Sequence, residues 1–251
     1  MAAVIKTEGL TRRYGRQTAV DALSFEVNGG EVFGFLGPNG AGKTTTILML
    51  LGMTEPTAGR AEVLGFDPVR QPLQIKRQVG YLPENVGFYD DLTAQENLRY
   101  VARLNQVPES KMQALLDSAL NTVGLLGEDS KLVGEYSRGM RQRLGIAELL
   151  LKEPKLVILD EPAMGLDPDG MNKMLDLIVS LNRERGITVL MCTHLLNHVE
   201  RICGRVGIMS KGRLAAFGTI AELARSQPAT AAGPASLEQI YLRHCQENKP
   251  C

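Results

Sequence analysis

The chain has 251 residues, enough for one large domain with an insertion and for a substantial core. Lys and Arg number 28 and Asp and Glu number 28, so the formal net charge is zero and no overall basic field draws a nucleic-acid partner. Hydrophobic residues make up 44% and charged residues 22%, which excludes bulk disorder and a fibrous chain.

The first 36 residues predict short strands at 4–8, 22–27 and 31–36, with Asn28-Gly29-Gly30 as a turn between the last two. A glycine-rich loop follows, and then a helix over 44–51. Residues 61–64 and 79–82 predict further strands. From about 88 to 152 the chain changes character. Helical spacing runs through 92–104, 111–123 and 140–151, as in a helical insertion.

Alternation then resumes. Strands are predicted at 156–159 and 188–192, and helices at 171–185 and 195–203. Residues 206–209 and 213–217 close as a hairpin around Lys211-Gly212. This alternation implies an α/β fold: a mostly parallel sheet with helices on both faces. Residues 226–236 are rich in Ala, Pro and Ser and predict a linker, followed by a C-terminal helix over 237–245 and a short tail. No internal repeat is visible, so one nucleotide-binding unit is expected.

No run of 18 apolar residues occurs, and the first residues carry charges where a signal peptide needs an apolar block. Cys192, Cys203, Cys245 and Cys251 make no tight paired framework, which suits a reduced, cytoplasmic setting.

Gly37-Pro38-Asn39-Gly40-Ala41-Gly42-Lys43-Thr44 matches the P-loop pattern between an apolar strand and an apolar helix. Its glycines let backbone N–H groups close around phosphate oxygens, and the following helix points its positive end at the same anions. Lys43 is expected on the β- and γ-phosphates and the Thr44 hydroxyl on Mg²⁺, with Thr45 next to it on the nucleotide. A second feature lies further on. Asp160 and Glu161 stand just past the apolar 156–159 strand. Such a pair suits a metal-holding acid, Asp160, and a base that aims the attacking water, Glu161.

At this point the residues resemble the ATP-binding cassette (ABC) ATPases, over about residues 4–225. The family's signature is represented by Tyr136-Ser137-Arg138-Gly139-Met140 inside the helical stretch. Gly165-Leu166-Asp167 resembles the D-loop, and His194 resembles the switch histidine. Tyr14, 29 residues before Lys43, stands where the family keeps an aromatic that stacks on adenine. The resemblance implies a P-loop NTPase with an N-terminal antiparallel β subdomain and a helical insertion. It implies ATP and Mg²⁺ as ligands and ATP hydrolysis coupled to transport. It implies that Lys43, Glu161 and His194 carry catalysis, that Ser137 and Gly139 reach the γ-phosphate held by a second cassette in a head-to-tail homodimer, and that Asp167 is among the nucleotide-binding residues. Lys43 is the expected neutralising cation, Glu161 polarises water, and His194 holds the γ-phosphate.

Four positions depart from the family pattern. Glu84 replaces the Q-loop glutamine, Arg138 a glycine, Met140 a glutamine and Ala163 a Ser or Thr. Glu84 brings another hard oxygen towards Mg²⁺. The stretches 80–89, 136–144 and 236–242 are similar to type-2 ABC exporters, and 80–104 to the ATPases that serve copper-site maturation of nitrous oxide reductase. A separate membrane-spanning permease is therefore implied, with Phe88 and Tyr89 as candidates for its docking groove and core packing as their alternative role. The implied location is cytoplasmic, on the inner face of the cell membrane. A soluble ABC ATPase acting in complex assembly is the alternative, and no nucleic-acid partner is expected.

Overall fold

The computed structural model describes residues 2–128, 130–226 and 235–246. The chain opens with β1 (Ala3–Tyr14), β2 (Gln17–Asn28) and β3 (Val32–Leu36). After α1 (Lys43–Leu50) come β4 (Ala58–Val63), α2 (Pro72–Gln78) and β5 (Val79–Leu82). Helices α3 (Ala94–Leu104), α4 (Glu109–Thr122) and α5 (Arg138–Leu150) follow without an intervening strand. The alternation then returns as β6 (Leu156–Asp160), α6 (Pro168–Arg185), β7 (Thr188–Thr193) and α7 (Leu196–Ile202). The chain finishes with β8 (Arg205–Ser210), β9 (Arg213–Thr219), α8 (Ile220–Arg225) and α9 (Leu237–Gln246).

A six-stranded sheet runs β5-β6-β7-β3-β8-β9. Its first five strands are parallel, and β9 adds antiparallel to β8. A three-stranded antiparallel sheet runs β2-β1-β4. The central strands are apolar throughout because both faces are covered. Their side chains divide by the two-residue period of a strand. Leu159, Val189, Met191 and Leu36 join the core beneath α3 to α7. Leu156, Ile158, Leu190, Phe33 and Phe35 join the opposite core beneath α1, α2 and the smaller sheet.

Helix boundaries follow local chemistry. Thr93 caps α3 in a capping box with Glu96. Asp167 caps α6, whose first residue is Pro168, and Gly186 ends it at φ 65°. Ser137 caps α5 by accepting the Met140 N–H.

Several details differ from the sequence-based expectation. β1 and β2 each span 12 residues rather than five or six. Their pairing contains several register shifts, which break the strict alternation a strand reader relies on. Asn28-Gly29-Gly30 is a turn, but it joins two different sheets and not a hairpin. Helices α2 and α8 are additional. Each is short, and each buries one side chain, Ile75 or Leu223, so no apolar period develops. Within the expected linker, residues 227–234 lie outside the described residues, as does the tail from 247 onward. Helix α9 is present, and its Leu237 and Ile240 are fully buried. Among the described residues no helix is long and apolar enough to cross a membrane.

Candidate functional site

The carboxyl edge of the parallel sheet builds the site, where strand ends of a doubly wound sheet leave a crevice. The loop after β3 carries residues 37–42, β6 ends on Asp160 with Glu161 next, β7 ends on Thr193 with His194 next, and Glu84 follows β5. The turn between β8 and β9 closes the side, with the Gly212 N–H donating to Ala41 O at 3.0 Å.

The phosphate loop needs its glycines for space. A Cβ on Gly42, at φ 102°, would stand 2.5 Å from the Ala19 carbonyl oxygen. A Cβ on Gly37 would stand 2.7 Å from the Met209 carbonyl oxygen. The loop is therefore pressed between β2 and β8 before it turns into α1. Lys43, the first residue of α1, is only 6% exposed. Its Nζ donates to Gly37 O at 2.6 Å and to Pro38 O at 3.3 Å, and lies 3.9 Å from Glu161 Oε1. A buried ammonium that bonds its own loop carbonyls curls the loop around a central cation.

The carboxylates stand opposite. Thr44 Oγ1 donates to Asp160 Oδ2 at 3.2 Å. Burial pushes the Asp160 carboxyl above its ordinary range. The Thr44 bond pulls it down, Glu161 pushes it up again, and Lys43 partly offsets this. Glu161 is 5% exposed and takes the left-handed φ of 50°. A non-glycine residue there carries backbone strain, and the Glu161 N–H donates to Cys192 O at 2.8 Å to hold it. Its carboxylate is gripped at both oxygens. Thr193 Oγ1 donates to Oε2 at 2.9 Å, and His194 Nδ1 lies 2.9 Å from Oε1. An ionised carboxylate only accepts, so the imidazole donates from Nδ1. The Thr193 oxygen in turn accepts from the Leu195 N–H at 3.1 Å.

A cavity of about 660 Å³ gathers much of this set. Tyr14, Pro38, Asn39, Gly40, Gly42, Lys43, Thr44, Thr45, Glu84, Asp160 and Glu161 all line it. Gly37 and Ala41 lie in the loop behind. His194 reaches the site through Glu161. Tyr14 is half exposed at the end of β1, with the Arg12 guanidinium 4.5 Å from its ring centre. Ser137, Gly139 and Asp167 do not join this cavity. They line a second one of about 310 Å³, with Arg138 and Gly165.

Sequence reasoning missed five contributors. Thr193 grips the glutamate, and its only local signal is its place beside His194. Gln17, Thr18 and Ala19 line the cavity from β2, brought there by sheet packing alone. Gln142 of α5, 3% exposed, donates from Nε2 to Glu84 O at 2.9 Å and ties the helical segment to the Glu84 loop.

The donor set fits a nucleoside triphosphate with a divalent cation. Backbone N–H groups, a buried ammonium and a helix N-terminus meet the phosphates. The Thr44 hydroxyl and the Asp160 carboxylate are hard oxygen ligands that already stand together. Fold and site thus define a P-loop nucleoside triphosphatase.

The comparisons with known proteins narrow the class. Residues 20–164 match the family model described as ABC transporter. The chain is 47% identical over 214 residues to the bacitracin transport ATP-binding protein of Bacillus licheniformis, covering 85% of this chain and 69% of that protein. It is 34% identical over 220 residues to the linearmycin resistance ATP-binding protein of Bacillus subtilis, covering 88% of this chain and 70% of that protein. A solved ATP-binding subunit of an ABC transporter superposes with a TM-score of 0.83 at 32% identity, covering 96% of this chain and 99% of that one. This chain belongs to the ABC transporter family, as an ATP-binding subunit.

Proposed function

We propose that the chain hydrolyses ATP to drive an ABC exporter. The observation that carries this reading is the Glu161 carboxylate, buried, gripped by Thr193 and His194, and 3.9 Å from Lys43. The grip leaves the carboxylate beside the buried ammonium at the edge of the cavity that would take the phosphates. A general base needs its lone pair aimed before water arrives.

ATP enters with its phosphates in the loop of residues 37–42. The loop N–H groups and the α1 terminus take the phosphate oxygens, and Lys43 exchanges its loop carbonyls for the β- and γ-phosphates. Tyr14 offers a ring face to the base, a contact worth about 1–3 kcal/mol and weakly selective. Thr44 and Asp160, with Glu84 beside them, hold Mg²⁺, which when bound neutralises charge on the phosphate oxygens. Glu161 accepts a proton from the attacking water as that water bonds to the γ-phosphorus and the bond to ADP breaks. His194 holds Glu161 in aim and stands next to the departing phosphate.

Ser137, Gly139 and Asp167 serve a different nucleotide. They stand at their own cavity, without a base or a metal-holding acid of the phosphate site. A second copy packed head to tail supplies what each cavity lacks, so the working unit is a homodimer with two shared sites. ATP favours the closed form through contacts made only there, and its hydrolysis releases them.

The membrane partner is a separate permease, and this chain sits on its cytoplasmic side. A groove lined by Phe88, Tyr89, Tyr100 and Glu148 supports that docking. The resistance named for the linearmycin relative supports export. Cargo selection belongs to the permease. The copper-maturation resemblance is supported by the 80–104 stretch alone.

The test is an affinity capture of Glu161→Gln from detergent-solubilised cells with ATP and Mg²⁺. A stoichiometric multi-spanning membrane protein is the expected companion. Capture of soluble assembly factors alone overturns the transporter assignment of this chain.

A further inference from the structure

Arg138 stands where the resembling family carries glycine, at the first position of α5. The residue is exposed, but its guanidinium folds back over a neighbouring loop. It lies across Gly165, where an added Cβ would come within 3.0 Å of Nη1, 3.1 Å of Cζ and 3.3 Å of Nε. Gly165 has φ 71° and no side chain, so it leaves room for this placement. Arg138 thereby reaches the cavity shared with Ser137, Gly139 and Asp167.

The charges around that cavity leave Arg138 over. Asp167 is occupied in capping α6, where Oδ1 accepts the Gly170 N–H at 3.3 Å. Asp169 pairs with Lys173 at 2.6 Å. Arg143 donates to the carbonyls of Val123 and Gly124. Among the described residues no carboxylate pairs with Arg138. Two carboxylates thus face three cations: Lys173 pairs with Asp169, Arg143 is held by carbonyls, and the guanidinium beside the serine and glycine of the signature has neither kind of partner among the described residues. A planar fork of donors suits phosphate oxygens.

We propose that Arg138 binds the terminal phosphate of the nucleotide held by a second copy of the chain. It adds a side-chain cation in trans to the contacts of Ser137 and Gly139, and so strengthens ATP-driven closure. This rests on the two-copy reading above. The competing role is a brace that only supports the Gly165 loop within one copy.

The test uses the Glu161→Gln chain, which retains ATP, and follows dimer formation by sedimentation against ATP with Mg²⁺. Arg138→Ala is expected to raise the ATP concentration for half-maximal dimer about tenfold, the weight of a charge-assisted hydrogen bond. Arg138→Lys keeps most of the effect, and Arg138→Gln, which keeps length without charge, loses it. The ATP affinity of the dilute monomer, read by equilibrium dialysis, stays unchanged in all three. An unmoved half-point overturns the proposal alone. A parallel loss of monomer affinity or melting temperature assigns Arg138 to the brace and overturns it too. Absence of any ATP-driven dimer in the Glu161→Gln parent overturns the two-copy reading, and the proposal with it.

Discussion

Nδ1 of His194 and Oε1 of Glu161 stand 2.9 Å apart, across the ends of two adjacent strands. The contact joins an exposed imidazole to a buried carboxylate, and Thr193 fixes the other oxygen of the same group. Such a clamp fixes the direction in which the carboxylate points. Glu161→Gln keeps the shape and removes the proton acceptor. Phosphate release is expected to fall by about 10²–10⁴-fold, while ATP binding is retained. Equal loss of both in single-turnover and binding measurements would falsify the base assignment.

The Asp160 carboxyl is pushed up by burial. The folded chain therefore keeps its proton at a pH where the unfolded chain has released it. As pH rises through that window the folded state must ionise a buried group, and stability falls. In the nucleotide-free chain at pH 7, Asp160→Asn is expected to melt higher, on the order of 2–4 °C for each kcal/mol recovered. The gap closes as pH drops towards the carboxylate range. A lower melting point for the Asn variant at pH 7 would contradict this ordering.

Glu84 lines the phosphate cavity, and its backbone carbonyl is tied to Gln142. A carboxylate ligand binds a hard cation more tightly than an amide does. Glu84→Gln is expected to raise the Mg²⁺ concentration for half-maximal hydrolysis several-fold, with little change at saturating metal. Coincident Mg²⁺ titrations remove Glu84 from the metal site.

Gly42 has no room for a side chain. Gly42→Ala adds a Cβ 2.5 Å from the Ala19 oxygen at φ 102°, so loop and strand must separate. Backbone strain costs about 1–3 kcal/mol at such a φ, and the overlap with Ala19 adds to it; loss of nucleotide affinity is expected with it. Gly15→Ala is the control. It is also at positive φ, but an added Cβ there meets nothing within 4 Å. Denaturant unfolding should separate the two variants clearly.

Helix α9 is anchored by Leu237 and Ile240, both 0% exposed and in the core with Val199 and Cys203 of the α7 region. Leu237→Ala should destabilise the chain by about 2–5 kcal/mol if the helix unfolds only with the whole. Hydrogen exchange reports the alternative: amides of 237–246 that exchange early in the wild type show α9 detaching on its own, and the global loss is then small.

The cassette's chemistry was legible because it lies in short contiguous runs. The loop at 37–44 and the Asp160-Glu161 pair each carry their own strand context. The central strands read well because burial on both faces makes them largely apolar, as in residues 156–159. The helices α2 and α8 did not, since Ile75 and Leu223 are single anchors without a period. Thr193 was silent for another reason. A threonine after an apolar strand has many uses, and only its 2.9 Å bond to Glu161 selects one.

What the residues determined by themselves was a set of local patterns: a glycine-rich loop between strand and helix, a carboxylate pair past an apolar strand and the run 136–140, all set by local backbone freedom and side-chain chemistry. Only the tertiary structure shows where these runs stand: the loop and the carboxylates at one cavity, Ser137 and Gly139 at another. Strand order brings the ends of β5, β6, β7 and β3 to one edge, so Glu84, Glu161, His194 and Lys43 converge from positions far apart in the chain. The packing of α5 against α6 sends Ser137, Gly139 and Asp167 to the other cavity. Distance in sequence carries no sign of which face a helix will present; that is decided by which apolar stripe finds a core.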